Sequence, residues 1–392
     1  MASSFTLPRA DGVLPAQWIR KAIGAGIIEA DEPIPERNVQ PASLDLRLGD
    51  EAYRLRASFL AGTTTVERKL EELAVGPPID LRSGAILERN RPYLIALQER
   101  LNLPANLRAL ANPKSSTGRL DVFTRVITDR SFQFDEVRRE YRGKLWLEVV
   151  PRSFTVMVRT GITLNQLRLR AGDTRMSDGE LRELHKQDPL LYRGGKAVAP
   201  NDFRTADGLY LSLDLRYEPG RGVGYQAKRN SRLIDLGLVD HYDPEEFWDP
   251  VVPERDSLVV LEPEEFYLLL SEEAVRIPPS LAAEMLAYDP TSGELRTHYA
   301  GFFDPGFGHD PIFLGSRAAL EVRAHDVAFV VEHRQRVCKL RFERMLEEPD
   351  IAYGASLGSN YQAQEATLSK HFRFERTRLG GQLAIDLDTK PE

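Results

Sequence analysis

A five-residue string, SLDLR, occurs twice in this chain, at residues 43–47 and again 169 residues later at residues 212–216. Other signals return in the same order: LWLEVV around Glu148 resembles AALEVR around Glu321, 173 residues further on. A period this long is typical of tandem domains, because the repeats of a solenoid are much shorter. The sequence therefore predicts two copies of one domain.

The boundaries of the two copies follow from the composition between them. Residues 171–203 open with a polar segment in which Ser177 and Glu180 have the spacing of a helical capping box. The string YRGGKAVAPND that follows contains Gly and Pro but no apolar period, which is typical of a loop. We predict a first copy at residues 1–170, a linker at 171–203 and a second copy at 204–392.

Alternation of apolar and polar residues predicts that each copy is mainly β. Apolar side chains occupy every second position of residues 44–48 and 338–342, and period two is typical of half-buried strands. Clusters of Gly, Pro and Asp interrupt such runs at short intervals, which indicates a barrel or sandwich. One short amphipathic helix is predicted near the N-terminus, with Pro15 in its first turn.

Composition and charge exclude several classes of function. Lys and Arg number 52 against 59 Asp and Glu, a net charge of −7 that argues against non-specific nucleic-acid binding. The single cysteine, Cys338, excludes multi-cysteine zinc sites, including that of the zinc-dependent base deaminases. The longest apolar runs, residues 266–270 and 327–331, are too short to cross a membrane, and the N-terminus lacks a signal-peptide pattern. We expect a cytoplasmic protein that binds neither membranes nor nucleic acid.

Two motifs have residue types suited to chemistry on an anionic substrate. KSSTGR at residues 114–119 combines two cations, two serine hydroxyls and a tight backbone, which suits a triphosphate but also a solvated loop. Glu148 lies in an apolar strand, where a carboxylate is costly unless it is paired or used. It is therefore either a general base tuned by burial and a nearby arginine, or a glutamate that faces outward from an edge.

Four strings together resemble a known family. QPASLDLRLG (residues 40–49), KSSTGRLDVF (114–123), YRGKLWLEVV (141–150) and SNYQAQ (359–364) come in the order found in dCTP deaminases, which share a superfamily with the trimeric dUTP pyrophosphatases. The resemblance implies a mainly β fold, with two tandem dUTPase-like distorted β-barrel or jelly-roll domains and short helices.

The resemblance also implies roles for residues of the first copy. Lys114, Ser115 and Ser116 would face the phosphates, although the family usually has arginine in place of Lys114, and lysine lacks the bidentate fork of arginine. Glu148 would take a proton from the water that attacks carbon 4 of cytosine, and Arg119 would lie beside the base and this carboxylate.

Further expectations concern a loop and the tail. By resemblance, Thr128 lies beside the attacking water, and Asp135 binds the sugar hydroxyl, although a charged insertion makes an exposed aspartate nearly as consistent with the sequence. Tyr361 and Gln364 match the family's closing segment, which folds over the phosphates. Asn360 stands where that segment usually has lysine.

The second copy keeps only part of these motifs. It has FDPGFG at residues 303–308 and Glu321, but its phosphate turn reads DPTSGELR at residues 289–296, with Pro290 at the position of Lys114. We therefore expect a degenerate domain that packs against the first copy, with Glu321 as a structural residue.

The function implied is zinc-independent hydrolytic deamination of dCTP to dUTP and ammonia. Mg²⁺ would be carried by the triphosphate, with no metal bound by the protein itself, and the chain would form a homo-oligomer, a trimer or a dimer. A dUTP pyrophosphatase or a bifunctional dUMP-forming deaminase is an alternative, disfavoured because the first copy has no clean D-x-G-Y string. A nucleotide-binding regulator without catalysis is the other alternative.

Overall fold

The computed structural model describes residues 5–8, 10–217, 222–254, 257–286, 295–297, 301–309, 314–324, 326–351 and 367–373. In the first copy the elements are, in chain order, β1 (Gly12–Val13), α1 (Ala16–Gly24), β2 (Ile28–Ala30), β3 (Leu44–Arg54), α2 (Val66–Leu73), β4 (Ile79–Asp80), β5 (Ala85–Leu87), β6 (Tyr93–Asn102), β7 (Leu107–Pro113), α3 (Ser115–Gly118), β8 (Val122–Ile127), β9 (Glu136–Val137), β10 (Arg142–Pro151), β11 (Val156–Val158) and β12 (Thr163–Ala171).

The rest of the described chain is also mainly strands. Its elements are α4 (Asp178–Gln187), β13 (Leu191–Arg193), β14 (Lys196–Ala197), β15 (Leu209–Ser212), β16 (Gly224–Ala227), β17 (Ile234–Asp235), β18 (Trp248–Val251), β19 (Leu258–Leu261), β20 (Phe266–Val275), β21 (Leu281–Leu286), β22 (Leu295–Thr297), β23 (Phe302–Phe303), β24 (Ser316–Ala324), β25 (Phe329–Glu332) and β26 (Arg336–Arg344). Short 3₁₀ turns occur at Glu36–Asn38 and Pro244–Glu246.

A curved sheet builds the first copy, with its main path in the order β8-β10-β6-β3-β12-β7-β9. The predicted alternating run is part of β3, and its leucines lie in the core. Asp45 and Arg47, the polar residues between them, are buried as well. Each is paired: Arg47 donates to Glu99 at 2.6 Å, and Asp45 accepts from a lysine described below. The predicted N-terminal helix is α1, with Pro15 directly before it.

The predicted linker is part of the second copy's fold. Ser177 and Glu180 do form the capping box, at the start of α4. The expectation of a loop after it is wrong, because residues 191–197 form the hairpin β13-β14, and β13 pairs with β20. Apolar side chains of this region, including Leu181 and Phe203, are buried in the second core. The short hairpin has no periodic apolar pattern, but a few large apolar side chains are enough to pack this region against the second core.

The two copies share a buried polar interface, here called the seam. It is formed by β7 and β12 of the first copy against β21 and β26 of the second, and by α3 and the residues after it against β24. Arg170 donates to Glu343 at 2.7 Å and to Glu284 at 3.0 Å, and Arg168, fully buried, donates to Glu343 at 3.2 Å. Burial raises the pKa of Glu343, but the two arginines hold it below its usual value. Arg170 and Glu343 are 173 residues apart, the offset of the repeat, so equivalent positions of the two copies face each other.

Apolar contacts and one strand pair join the copies further. Phe247, Trp248 and Phe266 of the second copy belong to the first copy's core cluster, and β11 pairs in parallel with β17. Among the described helices, none is long and apolar enough to cross a membrane.

Candidate active site

The string KSSTGR forms a tight helical turn that connects β7 to β8. The backbone N–H groups of Thr117 and Gly118 donate to the carbonyl oxygen of Lys114 at 2.8 and 3.0 Å. The Lys114 ammonium donates to the carboxylate of Asp45, in the first SLDLR string, and to Thr163 Oγ1 at 2.9 Å. The two motifs that are 69 residues apart in sequence are thus held together by one ion pair.

The other polar residues of this turn are ordered as well. The Arg119 Nε atom donates to Ser115 Oγ at 3.0 Å, and Ser116 is buried with its carbonyl oxygen used as an acceptor. Arg119 is only 4% exposed. Lys114, Ser115, Ser116 and Arg119 therefore form one rigid cluster of cations and hydroxyls.

A carboxylate of the second copy lies against this turn. Glu321, in β24, approaches Gly118 so closely that a β-carbon built on the glycine would lie 2.5 Å from one carboxylate oxygen. Glu321 is 8% exposed, and no residue in the described part of the chain donates a hydrogen bond to its carboxylate. Burial raises the pKa of Glu321 well above its usual value, the Arg119 guanidinium opposes this, and Asp121 adds to it.

A buried ion pair beside Glu321 holds β24 in this position. Arg323, two residues along the strand, donates to Asp121, which follows the phosphate turn by two residues. Ser153 Oγ donates to the same aspartate at 2.5 Å. The contact fixes the distance between the turn of one copy and the glutamate of the other.

The string FDPGFG of the second copy reaches the same region. Arg168, in β12, donates to the Phe303 carbonyl oxygen and to Asp304 Oδ1, each at 3.4 Å. Burial raises the pKa of Asp304 to about 6, Arg168 lowers it, and Asp45 raises it. Since Asp45 also binds Lys114, the FDPGFG aspartate lies within electrostatic range of the phosphate turn.

The tail returns to this turn within the same chain. Among residues 367–373, Ser369 Oγ donates to the Ser116 carbonyl oxygen at 2.9 Å. Arg119 donates to the carbonyl oxygens of Thr367 and Leu368 at 3.3 and 3.4 Å. Tyr361 and Gln364, the two tail residues predicted from the sequence, lie outside the described residues.

Glu148 is buried beside an arginine, one of the two environments that the sequence allowed, but that arginine is Arg125 and not Arg119. The glutamate is buried in β10 directly opposite Arg125 of β8. Arg125 donates to both carboxylate oxygens at 3.1 and 3.2 Å, and Ser58 Oγ donates at 2.8 Å. The ring centroids of Phe123 and Phe134 lie 4.6 and 3.7 Å from the Arg125 guanidinium carbon. The negative charge of Glu148 is thus paired with Arg125 inside its own copy, and the described contacts of Glu148 do not include Arg119.

Two further predicted residues belong to the Glu148 side. Asp135 accepts a hydrogen bond from the Val126 backbone at 2.8 Å and has a positive φ of 63°. Burial raises its pKa to about 7, with smaller effects from Arg125, which lowers it, and Glu148, which raises it. Thr128 is buried just beyond β8. The exposed aspartate that the sequence also allowed is therefore not what the fold contains, because Asp135 is partly buried.

The structure thus divides the predicted site into two. The phosphate turn with Arg119 lies against Glu321 and within electrostatic range of Asp304. Glu148 lies in the first copy's own sheet, and Asp135 and Thr128 lie in the connection between β8 and β9. Sequence reasoning missed this pairing because it assigned the catalytic glutamate and the sugar-binding aspartate to the copy with the intact phosphate turn. The signal was present, since FDPGFG and Glu321 are the motifs that the second copy keeps.

The described residues offer no candidate site for a metal ion bound by the protein itself. Within the described residues, no group of three or more His, Cys, Asp or Glu side chains is arranged to hold a metal ion. Zinc-independence stays a prediction.

Comparison with known proteins matches each half of the chain to a family model of its own. The family model "2′-deoxycytidine 5′-triphosphate deaminase (DCD) N-terminal domain" matches residues 10–173, and the corresponding C-terminal domain model matches residues 177–372. A "dCTP deaminase, dUMP-forming" of Pseudarthrobacter chlorophenolicus is 32% identical over 158 residues, which cover 38% of this chain and 79% of that protein. The same-named protein of Streptomyces coelicolor is 33% identical over 167 residues, 40% of this chain and 84% of that protein.

A solved structure resembles nearly the whole chain. The crystal structure of 2′-deoxycytidine 5′-triphosphate deaminase from Agrobacterium tumefaciens has a TM-score of 0.81 and 44% identity, and the match covers 87% of this chain and 100% of that one. The predicted mainly β, barrel-like fold is confirmed by this match. On the family models and this structural match together, the chain belongs to the dCTP deaminase family.

Proposed function

We propose that this chain deaminates dCTP to dUTP and ammonia at the seam between its two copies, with Glu321 as the general base. The observation that supports this most is the buried Glu321 carboxylate set against Gly118 and Arg119 of the phosphate turn. Residues with strongly perturbed pKa values in such positions are typical of catalytic sites. The relatives' names support the substrate.

In this proposal each part of the site has a role. The triphosphate, with its Mg²⁺, lies on Lys114, Ser115 and Ser116, and Arg119 holds the base region. Asp304, the aspartate of FDPGFG, accepts a hydrogen bond from the sugar hydroxyl. The family resemblance gave this role to Asp135 in the first copy.

A single carboxylate can carry out all the proton transfers of the reaction. Glu321, ionised with the help of Arg119, takes a proton from water as the oxygen adds to carbon 4. It returns that proton to ring nitrogen 3, takes the second proton from the added hydroxyl, and delivers it to the amino group, which leaves as ammonia. The buried position of Glu321 suits this work, because burial raises its pKa and so favours return of the proton to the substrate.

The alternative product is dUMP, the product in the names of the curated relatives. One observation favours it: Asp45 Oδ1 is buried and has no hydrogen-bond partner among the described residues, beside the phosphate turn. An unpartnered carboxylate oxygen there suits either a water bound to the nucleotide's Mg²⁺ or a water directed at the α-phosphate.

An end-point assay separates these functions. Purified protein is incubated with dCTP or dUTP plus Mg²⁺, and nucleotides, ammonia and pyrophosphate are quantified. Ammonia with dUTP supports the proposal, and dUMP with pyrophosphate from dCTP supports the alternative. Nucleotide-dependent stabilisation with no product would instead indicate a regulator. Repeating the assay after chelation of zinc, with Mg²⁺ restored, tests zinc-independence.

A further inference from the structure

The tail segment, residues 367–373, docks across the phosphate turn of its own chain. Ser369 is bonded to the Ser116 carbonyl oxygen, and the Lys370 carbonyl oxygen accepts from the Asp240 backbone at 2.9 Å. The backbone on both sides of the Lys370 side chain is therefore fixed, with the phosphate turn on one side and residue 240 of the second copy on the other.

Apolar anchors hold the segment in this place. Leu368 and Phe372 are buried in the first copy's core cluster. The centroid of the Phe372 ring lies 5.5 Å from the ring centroid of Phe247 and 5.8 Å from that of Trp248. Burial lowers the pKa of His371 to about 4, so it is neutral at physiological pH, with Nδ1 2.9 Å from Ser369 Oγ. The segment is a packed part of the fold, and its one lysine has a defined location.

That location, one residue after the Ser369 contact to the phosphate turn, puts Lys370 within electrostatic range of Lys114. Burial lowers the pKa of the half-buried Lys370, Lys114 lowers it further, and Asp45 raises it. Two ammonium groups held near each other repel, and an anion placed between them relieves the repulsion. The Lys114 ammonium already donates to Asp45 and Thr163, which leaves it one further donor for a chain of phosphates.

We propose that Lys370 is a ligand of the substrate's phosphate chain and, with Lys114, forms a two-lysine clamp that selects nucleoside triphosphates. The inference rests on the proposed function and adds a residue that the family resemblance does not supply. It gives a reason why Asn360 is tolerated where the family's tail usually has lysine: the cation comes from a position ten residues later.

Three variants test the clamp. Lys370→Met removes the charge, Lys370→Arg keeps it, and Lys186→Met is the control, because Lys186 is 52% exposed on α4 and pairs only locally with Glu183. The first readout is calorimetric binding of inorganic tripolyphosphate, and the second is kcat and KM for dCTP. Thermal unfolding of each variant checks that the fold is kept.

The expected result follows from the loss of one charge-assisted contact. Lys370→Met should weaken tripolyphosphate binding and raise KM for dCTP by about 10- to 100-fold, with kcat nearly unchanged. Lys370→Arg should recover most of this loss, and Lys186→Met should match the wild type. Unchanged tripolyphosphate binding in Lys370→Met would overturn the clamp, as would an equal loss in Lys370→Arg, which would indicate packing and not charge.

The two proposals can fail separately. If the chain forms no product from dCTP, the proposed function fails, but tripolyphosphate binding still reports whether Lys370 holds phosphate. If product forms and only the binding differences are absent, the clamp alone is wrong.

Discussion

Replacing Glu321 with glutamine tests which glutamate moves protons. The change keeps the shape of a side chain that is 8% exposed and removes only its charge. A positioned general acid–base contributes about 10²- to 10⁴-fold to a rate. We expect kcat on dCTP to fall by that factor, which corresponds to about 2.7–5.4 kcal/mol of barrier at roughly 1.36 kcal/mol per tenfold.

The same replacement should leave the fold as stable or more stable. The pKa of Glu321 is raised in the folded chain, so the folded state binds the proton more tightly than the unfolded state does. As pH rises through that raised pKa, ionising the buried carboxylate lowers the free energy of unfolding. Glutamine removes this penalty, so the Tm of Glu321→Gln at pH 8 should equal or exceed that of the wild type.

Glu148→Gln is the matched control, because it makes the same chemical change in the equivalent strand of the other copy. Its loss of charge weakens the contacts to Arg125 and Ser58, so we expect about 1.5–3 kcal/mol less stability. Its rate of ammonia release should stay within about threefold of the wild type, less than one kcal/mol of barrier. An inactive Glu148→Gln with unchanged Tm, beside an active Glu321→Gln, would refute the assignment of the base.

Three other outcomes follow from the contacts. Because the ionised Asp304 accepts the stronger, charge-assisted hydrogen bond from the sugar and its pKa is raised to about 6, kcat/KM should fall below pH 6, and Asp304→Asn should flatten that limb of the pH profile. Glu343→Gln leaves Arg168 and Arg170 with too little negative charge, so denaturant unfolding should show about 3–5 kcal/mol less stability; an unchanged midpoint would contradict the seam's role. Phe372→Ala should cost about 3–5 kcal/mol of local packing and raise KM for dCTP through undocking of the tail, whereas an unchanged KM would separate the tail from the site.

The predictions that rested on short-range sequence patterns were the reliable ones. The alternating runs at residues 44–48 and 338–342 are strands because period two places apolar side chains on one face. The Ser177 capping box is a contact between residues three apart and forms as predicted. The hairpin at residues 191–197 was missed because its docking depends on the second core and not on its own pattern.

The assembly of the site depends on contacts that no local pattern specifies. Asp121 and Arg323 are 202 residues apart, and their ion pair determines which glutamate meets the phosphate turn. Within one copy, the strand pairing of β8 and β10 sets Glu148 opposite Arg125. Neither fact can be derived from motif order, which is the same whether a site is completed within a copy or between copies.

Duplication explains why the two halves of the site could diverge. When identical domains associate, any position that meets its own equivalent must be compatible with itself, so a charge there faces a like charge. In a chain with two copies that constraint disappears, and Arg170 and Glu343, equivalent by the 173-residue offset, have become an ion pair at 2.7 Å.

The same freedom applies to the catalytic groups. Under the proposed function, the seam site needs the phosphate turn only from the first copy, and the acid and the FDPGFG string only from the second. The second copy's turn can therefore lose its lysine, as Pro290 indicates, and Glu148 can be neutralised by Arg125 at no cost to the seam site. Complementary losses of this kind leave each copy incomplete alone, so the chain's activity should depend on the seam as much as on any single catalytic residue.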